Sequence, residues 1–287
     1  MASQTVRPRY AKVFLTFARN SLIRDMTFRA DFIFQCISSV AWTAMNVGFY
    51  LVIFRFTSTI GKDTGWMRDE FFLFLATVWF INSIVQAFFM PNMAEFSELI
   101  RTGGLDFALL KPIDTQFLIS LRRIEWSALS NFFVGILIAA FSLYSMATRA
   151  VEPIYPSIGS IILYVFFILC GVAIMYSVMI CLAATSVWLG RNQSLYDFWF
   201  YITNFSRYPM EIYNTPLGRP LLGFFIFVIP VLVVVNVPAR ILAQPLRPRA
   251  DWEWPLAAWA VLSTIIAVAV SRWLFKKSLK SYRSASS

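Results

Sequence analysis

Long apolar runs separated by polar segments dominate this chain, and six of the runs suit a helix that crosses a bilayer, which needs about 20 apolar residues. The predicted spans are Phe32–Phe54, Phe71–Met90, Leu129–Met146, Ile158–Leu182, Leu221–Val235 and Leu256–Leu274. None has Asp, Glu or Lys in its interior, which is typical of helices in contact with lipid. The fifth is short and contains Pro230, so we expect its helix to be kinked or broken midway. The pattern predicts an all-α, polytopic membrane protein with about six transmembrane helices in one domain, residues 1–287.

Composition excludes several classes of function. Hydrophobic residues make up 59% of the chain and charged residues 14%, against roughly a quarter charged in soluble domains. Histidine is absent, which removes His-based acid–base catalysis and His metal ligands. No G-x-x-x-x-G-K-[ST] phosphate loop occurs, so the chain does not bind ATP in that manner. The sequence therefore predicts no catalytic residue, no cofactor and no metal site in this chain, which is not an enzyme by itself.

The first 31 residues predict a cytoplasmic helix that lies in the membrane interface. From Tyr10 to Leu22, apolar side chains share one face and basic side chains the other, a pattern that favours the headgroup plane. The alternative is a merely solvated basic leader. The 25 lysine and arginine residues concentrate in the segments that share a side with the N-terminus, which predicts that both termini are cytoplasmic. The net charge of +10 is then explained by topology and anionic lipids, with no nucleic-acid partner.

Three connecting segments are longer than simple loops require. Residues 91–127 and 190–220 are predicted to be cytoplasmic, and the aromatic run in the second is either an interfacial helix or a shallow dip into the inner leaflet. Residues 236–255 contain four prolines and two tryptophans, which predicts a structured external cap anchored at the headgroups. Arg272, near the inner end of the sixth span, is expected to extend to the headgroups.

The segment Met93–Leu118 carries the most information about function. Its first part suits a short amphipathic helix that ends at Gly103 and Gly104, because glycine adopts the left-handed conformation of a helix stop. A second short helix, Leu105–Leu110, ends before Pro112, which disfavours helical geometry in the residue before it. Two short helices with a glycine hinge, placed between two spans, predict a docking element for a cytosolic partner.

The pattern I-R-x-G-x-L-D-x-x-L-L-K-P at Ile100–Pro112 resembles the cytoplasmic loop of bacterial type-2 ABC-transporter permeases. W-L-G-R at Trp188–Arg191, S-R-Y-P at Ser206–Pro209 and the run Ile229–Ala239 are similar to a paired-permease subfamily of this class. The resemblance implies a permease subunit of an ATP-driven exporter in the bacterial cytoplasmic (inner) membrane, with membrane lipids around it. It also implies a second permease, the same or a related chain, and cytosolic ABC ATPase subunits that hold the ATP and Mg. Carried over from the family, the ATPase-coupling contact is formed by Glu98, Arg101, Gly103, Gly104, Leu105, Asp106, Leu109, Leu110 and Lys111. For the three charged members Arg101, Asp106 and Lys111, the alternative is that they solvate the loop or bind lipid phosphate.

Four amide side chains lie within or near the predicted spans: Asn46, Asn82, Gln86 and Asn131. They either line a substrate pathway or hydrogen-bond between helices, and the sequence leaves both open, with the interhelical role favoured. Two other functions remain open for the whole chain. A non-transporting scaffold or accessory subunit has the same kind of sequence. A lipid-modifying transferase needs clustered carboxylates or histidines at the membrane face, and here the acidic residues are scattered.

Overall fold

The computed structural model describes residues 8–61, 65–150, 153–189, 193–243 and 253–282, which are mostly helical and contain no strand. The all-α prediction is confirmed. The helices of the first half are α1 (Tyr10–Thr27), α2 (Arg29–Phe56), α3 (Arg68–Phe88), α4 (Met90–Arg101), α5 (Gly104–Leu109), α6 (Thr115–Leu121) and α7 (Ser130–Ala147). Those of the second half are α8 (Ile158–Ala184), α9 (Ser186–Leu189), α10 (Gln193–Asn204), α11 (Arg219–Gly223), α12 (Val231–Ala243) and α13 (Glu253–Ser281).

The bundle has two ends with different partners. At one end, the α2–α3 connection, which contains Trp66, meets the α7–α8 connection, and Arg149 Nη1 lies 3.2 Å from Glu70 Oε1. We call this end the Trp66 face. Helices α4, α5 and α6 lie at the other end. The N-terminal helix α1 is held there, because Ser21 Oγ of α1 accepts from the Ile124 amide, between α6 and α7, at 3.0 Å. We call this end the α4–α6 face. Both ends of the described chain are on the α4–α6 face, since α13 finishes beside α4 and Phe275 packs on Phe96.

Five helical stretches are long and apolar enough to cross a membrane. They are Arg29–Phe56, Arg68–Arg101, Trp126–Ala147, Ile158–Leu189 and Pro255–Ser281. The second is the most buried inside the bundle and the fourth is about half buried, whereas few residues of the other three are buried. Side chains of this kind on the outside of a helix bundle suit lipid and not water. The protein is therefore a multi-pass membrane protein.

The predicted fifth span is broken as Pro230 indicated, but its boundaries were wrong. The stretch Arg219–Val228 and helix α12 meet at 87°, and α12 continues to Ala243, buried through most of its length. The first eight residues of the predicted external cap, 236–243, thus belong to a core helix, and the next nine lie outside the described residues. Val234 packs on Gly171 at the middle of α8, whereas Arg240 pairs with Glu211 at the Trp66 face. Arg219, at the start of the bent pair, bonds Asn214, which is three residues from Glu211. Both ends of the pair therefore lie towards the Trp66 face, which is the geometry of a re-entrant hairpin.

The described part of residues 190–220, all of which was predicted to be cytoplasmic, is divided between the two ends of the bundle. Ser186, just before this segment, bonds to Ser97 on α4, so the segment starts at the α4–α6 face. Glu211 accepts a hydrogen bond of 3.1 Å from Trp66 Nε1, which puts the second half at the opposite end. The stretch that contains α10 carries the chain from one face to the other, and the sequence did not indicate this because α10, with 12 residues, is shorter than a spanning helix.

The N-terminal helix prediction is confirmed as far as its secondary structure. Helix α1 runs along the α4–α6 face, where the Tyr10 ring packs edge-on against Phe117 at 4.9 Å between centroids. Arg24 Nη2 donates to the Ile124 carbonyl at 3.2 Å. These contacts fix α1 against the segment between α6 and α7.

Candidate docking element and polar groove

Helices α4 and α5 are joined by a turn that depends on one glycine. Gly103 has φ 73°, the left-handed conformation that side chains disfavour, and it directly precedes α5. The sequence attributed this stop to both glycines, but Gly104 is the first residue of α5. The turn folds α5 back under α4, so the two helices form a compact hairpin on the α4–α6 face.

The apolar side chains of α5 divide between the core and the solvent. Leu105, predicted to be part of the contact surface, is 0% exposed and belongs to the core of the described chain. Leu109 is exposed as expected, and Leu110 is 81% exposed. Phe107, which the sequence analysis missed, is 73% exposed. Phe107 and Leu110 lie three residues apart, on neighbouring positions of the short helix. Together they form an apolar tip, and we use this name for the pair.

The three charged residues predicted for the contact, Arg101, Asp106 and Lys111, differ in their exposure and in their partners. Arg101 Nε donates to Glu98 Oε2 at 2.9 Å on exposed α4. Lys111 is exposed beyond the end of α5. Asp106 is half-buried and faces Tyr282, the last residue that the structure describes. Burial raises the pKa of Tyr282, and the Asp106 carboxylate raises it further. Asp106 therefore takes part in holding Tyr282 against α5.

We call the hairpin of α4 and α5 the docking hairpin. Helix α6 links it to the long apolar helices. Asp114 caps α6 by accepting from the Phe117 amide at 3.0 Å, and it also pairs with Arg272 of α13. Arg272 was expected to extend to the headgroups, and in the structure its guanidinium bonds Asp114 and Gln116. The Arg272 guanidinium holds the pKa of Asp114 below its ordinary value. Gln116 in turn donates to the Tyr176 hydroxyl of α8 at 2.9 Å.

A groove with a volume of about 1050 Å³ opens between α2, α3 and the start of α7. We call it the polar groove. All four amides singled out in the sequence, Asn46, Asn82, Gln86 and Asn131, line it, together with hydroxyl and aromatic side chains. Their convergence was not visible in the sequence, since they come from three helices whose packing had to be known first.

The amides differ in their hydrogen bonding. Asn131 joins α7 to α2, because its Nδ2 donates to Ser39 at 2.9 Å and its Oδ1 accepts from Thr43 at 2.8 Å. Asn46 donates to the Trp42 carbonyl within α2. In the part of the chain that the structure describes, the amides of Asn82 and Gln86 have no hydrogen-bond partner. Asn131 thus has the interhelical role, whereas Asn82 and Gln86 present their amides to the groove.

The chain also matches a known family. The family model described as ABC-2 family transporter protein matches residues 40–286. The chain belongs to the ABC-2 family of transporter proteins. This confirms the resemblance noted in the sequence and gives the chain a permease role. No curated protein and no solved structure matches it.

Membership has consequences for partners and chemistry. An ABC-2 permease is typically the non-catalytic membrane subunit of its transporter, and the family associates with ABC ATPases. Among the described residues of this permease, no group of three His, Cys, Asp or Glu side chains is placed to hold a metal ion.

Proposed function

We propose that this chain is the membrane-spanning subunit of an ATP-driven ABC exporter in the bacterial inner membrane, with its α4–α6 face and both termini in the cytoplasm. Cytosolic ATPase subunits bind the ATP and Mg and dock on the hairpin of α4 and α5. The observation that carries this proposal is the apolar tip. An exposed phenylalanine on α5 and an exposed leucine at its C-terminal cap, in a segment that also carries the exposed charges of Glu98, Arg101 and Lys111, suit a hydrophobic pocket on a protein partner.

The hydrogen bonds between α6 and the long helices α8 and α13 provide a route by which docking moves the membrane helices. An ATPase that shifts α5 also shifts α6, whose cap residue Asp114 is tied to Arg272 of α13. Gln116 ties the same helix to Tyr176 of α8. A displacement at the docking hairpin is therefore passed to two long helices through hydrogen-bonded side chains.

The polar groove supports a pathway shared with a second permease, the same or a related chain. Amides and hydroxyls along α2 and α3 cannot face hydrocarbon without losing hydrogen bonds. The groove is open along its side, so water or a facing subunit must cover it. A second permease whose own groove faces this one encloses a pathway between the two chains, with the apolar outer surfaces of both left to membrane lipids.

The test is a tagged pull-down from the native membrane in gentle detergent, with mass spectrometry of the recovered proteins. The docking variant carries Phe107→Asp and Leu110→Asp. We expect an ATPase with a phosphate-loop motif to be recovered with the native chain and lost with the docking variant. A second permease recovered alongside decides between a homomer and a heteromer.

The matched control is Leu217→Asp, which places the same charge at an exposed leucine of the Trp66 face. This control should recover the ATPase as the native chain does. Recovery of the ATPase with the docking variant would remove the apolar tip from the interface. Absence of any ATPase with the native chain across several detergents would contradict the transporter proposal and favour the scaffold function.

A further inference from the structure

A second cavity, with a volume of about 440 Å³, lies where α6 packs against α8 and α13, close to the α4–α6 face. We call it the α6 cleft. Its walls are mostly apolar, with Leu169 and Val172 from α8, Val268 from α13 and Leu121 from α6. Leu169 and Val268 are exposed on the outside of the bundle. The cleft therefore opens towards the lipid that surrounds the long helices.

One end of the cleft is polar, and Arg272 of α13 is its cation. The Arg272 Nη1 group donates to Asp114 Oδ1 at 2.9 Å and to Gln116 Oε1 at 2.7 Å, and Nη2 bonds the other oxygen of Asp114. The donors left over are the Nε–H and the outer Nη2–H, which have no hydrogen-bond partner among the described residues. These two N–H groups point in parallel along one edge of the guanidinium, which is the geometry that binds phosphate through two hydrogen bonds.

Basic residues outnumber acidic ones around this polar end. Lys276 is exposed one turn beyond Arg272, on the same face of α13. The Tyr10 ring packs on a lining residue of α6, so the start of α1, with the exposed Arg9, also lies beside the cleft. Asp114 is the one acidic side chain among the described lining residues, and Arg272 neutralises it. The mouth of the cleft therefore attracts an anion.

An amphiphile with an anionic head fits both parts of the cleft. A free anion would leave the apolar walls uncovered, and a purely apolar molecule would leave the two N–H groups of Arg272 without an acceptor. From Tyr176 to Leu169, both lining residues, the cleft extends about 10 Å along α8 at the rise of an α-helix. An acyl chain can follow this stretch while a phosphate stays at the polar end.

We propose that the α6 cleft binds an anionic phospholipid of the cytoplasmic leaflet, with its phosphate on the free edge of Arg272 and an acyl chain along α8 and α13. The lipid is resident at this site and is not the transported solute, since the cleft and the polar groove share no lining residue. It lies against the side chains that tie α6 to the long helices, so its binding strengthens that link. The inference rests on the proposed function for its cytoplasmic placement and adds a lipid to the coupling route.

The test uses the complex purified from native membranes and stripped of lipid in mild detergent, with bound lipid counted by native mass spectrometry during a titration. Dioleoyl-phosphatidylglycerol is the probe. Dioleoyl-phosphatidylcholine has the same chains without net charge, dioleoylglycerol lacks the phosphate, and inorganic phosphate lacks the chains. We expect saturable binding of phosphatidylglycerol, binding of phosphatidylcholine that is at least about fivefold weaker, and no saturable binding of dioleoylglycerol. An excess of inorganic phosphate should not displace the lipid.

The first variants remove charge from the polar end. Arg272→Leu is combined with Asp114→Asn, so that no unpaired carboxylate remains and residue 114 can still cap α6. This double variant should weaken phosphatidylglycerol binding at least about tenfold. Lys276→Gln should weaken it about fivefold. Its matched control is Lys277→Gln, on the neighbouring face of α13, where Lys277 stacks on Trp273; binding should stay close to the native value.

A further variant fills the apolar part and changes no charge. Ala173 lines the cleft on α8, and Ala173→Phe places a ring where the acyl chain would lie. This variant should lose the saturable binding. Ala140→Phe makes the same change at an exposed position of α7 outside the cleft and should bind as the native chain does. Circular dichroism checks that the variants are folded, and the masses of the complexes give their subunit composition.

Four results would overturn the inference. They are absence of saturable phosphatidylglycerol binding, equal binding of phosphatidylcholine or dioleoylglycerol, displacement by inorganic phosphate, and binding that survives both the Arg272/Asp114 change and Ala173→Phe. Loss of a protein subunit from these variants, with lipid binding retained, would assign the cleft to a protein contact instead. Failure here is separable from failure of the transporter proposal. A complex that contains the ATPase but binds no lipid at the cleft refutes the lipid site alone, and lipid binding by a chain that recovers no ATPase refutes the coupling alone.

Discussion

Arg240→Leu is expected to lower the free energy of unfolding by about 3–5 kcal/mol, because it leaves a buried carboxylate without its cationic partner. The Arg240 side chain is 13% exposed and the Glu211 side chain 18%, and the two form an ion pair between α12 and the segment after α10. Trp66 donates to the same carboxylate at 3.1 Å and lies 6.0 Å from the guanidinium carbon, measured to the ring centre. The pair and Trp66 thus join the re-entrant hairpin, the segment after α10 and the α2–α3 loop.

The measurement is unfolding of the purified chain in mixed micelles by a denaturing detergent, followed by circular dichroism. Replacing both Arg240 and Glu211 by Leu should recover much of the loss, since no unpaired charge remains. Arg101→Leu breaks an exposed pair on α4 and should change stability little. Equal stability of Arg240→Leu and the native chain would show that the carboxylate does not depend on this partner.

Gly171→Ala is expected to destabilise the bundle by about 1–3 kcal/mol, although alanine is the better helix former. A Cβ at Gly171 would lie 2.9 Å from Val234 Cγ1, 3.0 Å from the Val234 carbonyl oxygen and 3.1 Å from Ile81 Cδ1. The carbonyl oxygen belongs to the backbone of α12 and cannot rotate away, so α8 and α12 must separate. Helices in membranes rely on close approach at small residues, which makes this contact central to the core.

Gly48→Ala is the matched control for this prediction. Gly48 lies inside α2, and a Cβ there meets no atom within 4 Å. Its replacement should be neutral or slightly stabilising in the same unfolding measurement, by virtue of alanine's helix propensity alone. If the two variants behaved alike, close packing of α8 on α12 would not contribute to stability.

The sequence predicted the long helices because their signal is local. Runs such as Ile158–Leu182 are apolar over the length of a bilayer, and no packing information is needed to identify them. The docking hairpin was found for a similar reason, since Gly103 and Pro112 determine helix ends through their own backbone preferences.

What the sequence could not predict depends on contacts between distant segments. Glu211 joins Trp66, 145 positions earlier, and this contact moves half of the 190–220 segment to the opposite face. Leu105 and Phe107 have similar hydrophobicity, so only the packing of α5 against its neighbours tells which one is buried. A closer reading of α2 and α3 offered one missed signal, since the polar residues of the groove recur at helical intervals in both.

The central claim, that an ABC ATPase docks on the apolar tip, is tested most directly by site-specific crosslinking. In a chain whose three cysteines, Cys36, Cys170 and Cys181, are replaced by Ser, a single Leu110→Cys is treated with a short bifunctional thiol–amine reagent in native membranes. Leu217→Cys on the Trp66 face is the control. We predict that Leu110→Cys is crosslinked to a protein with a phosphate-loop ATPase motif, identified by mass spectrometry, and that Leu217→Cys is not. Crosslinks from Leu110→Cys to lipid or to other proteins, with the ATPase absent, would contradict the account.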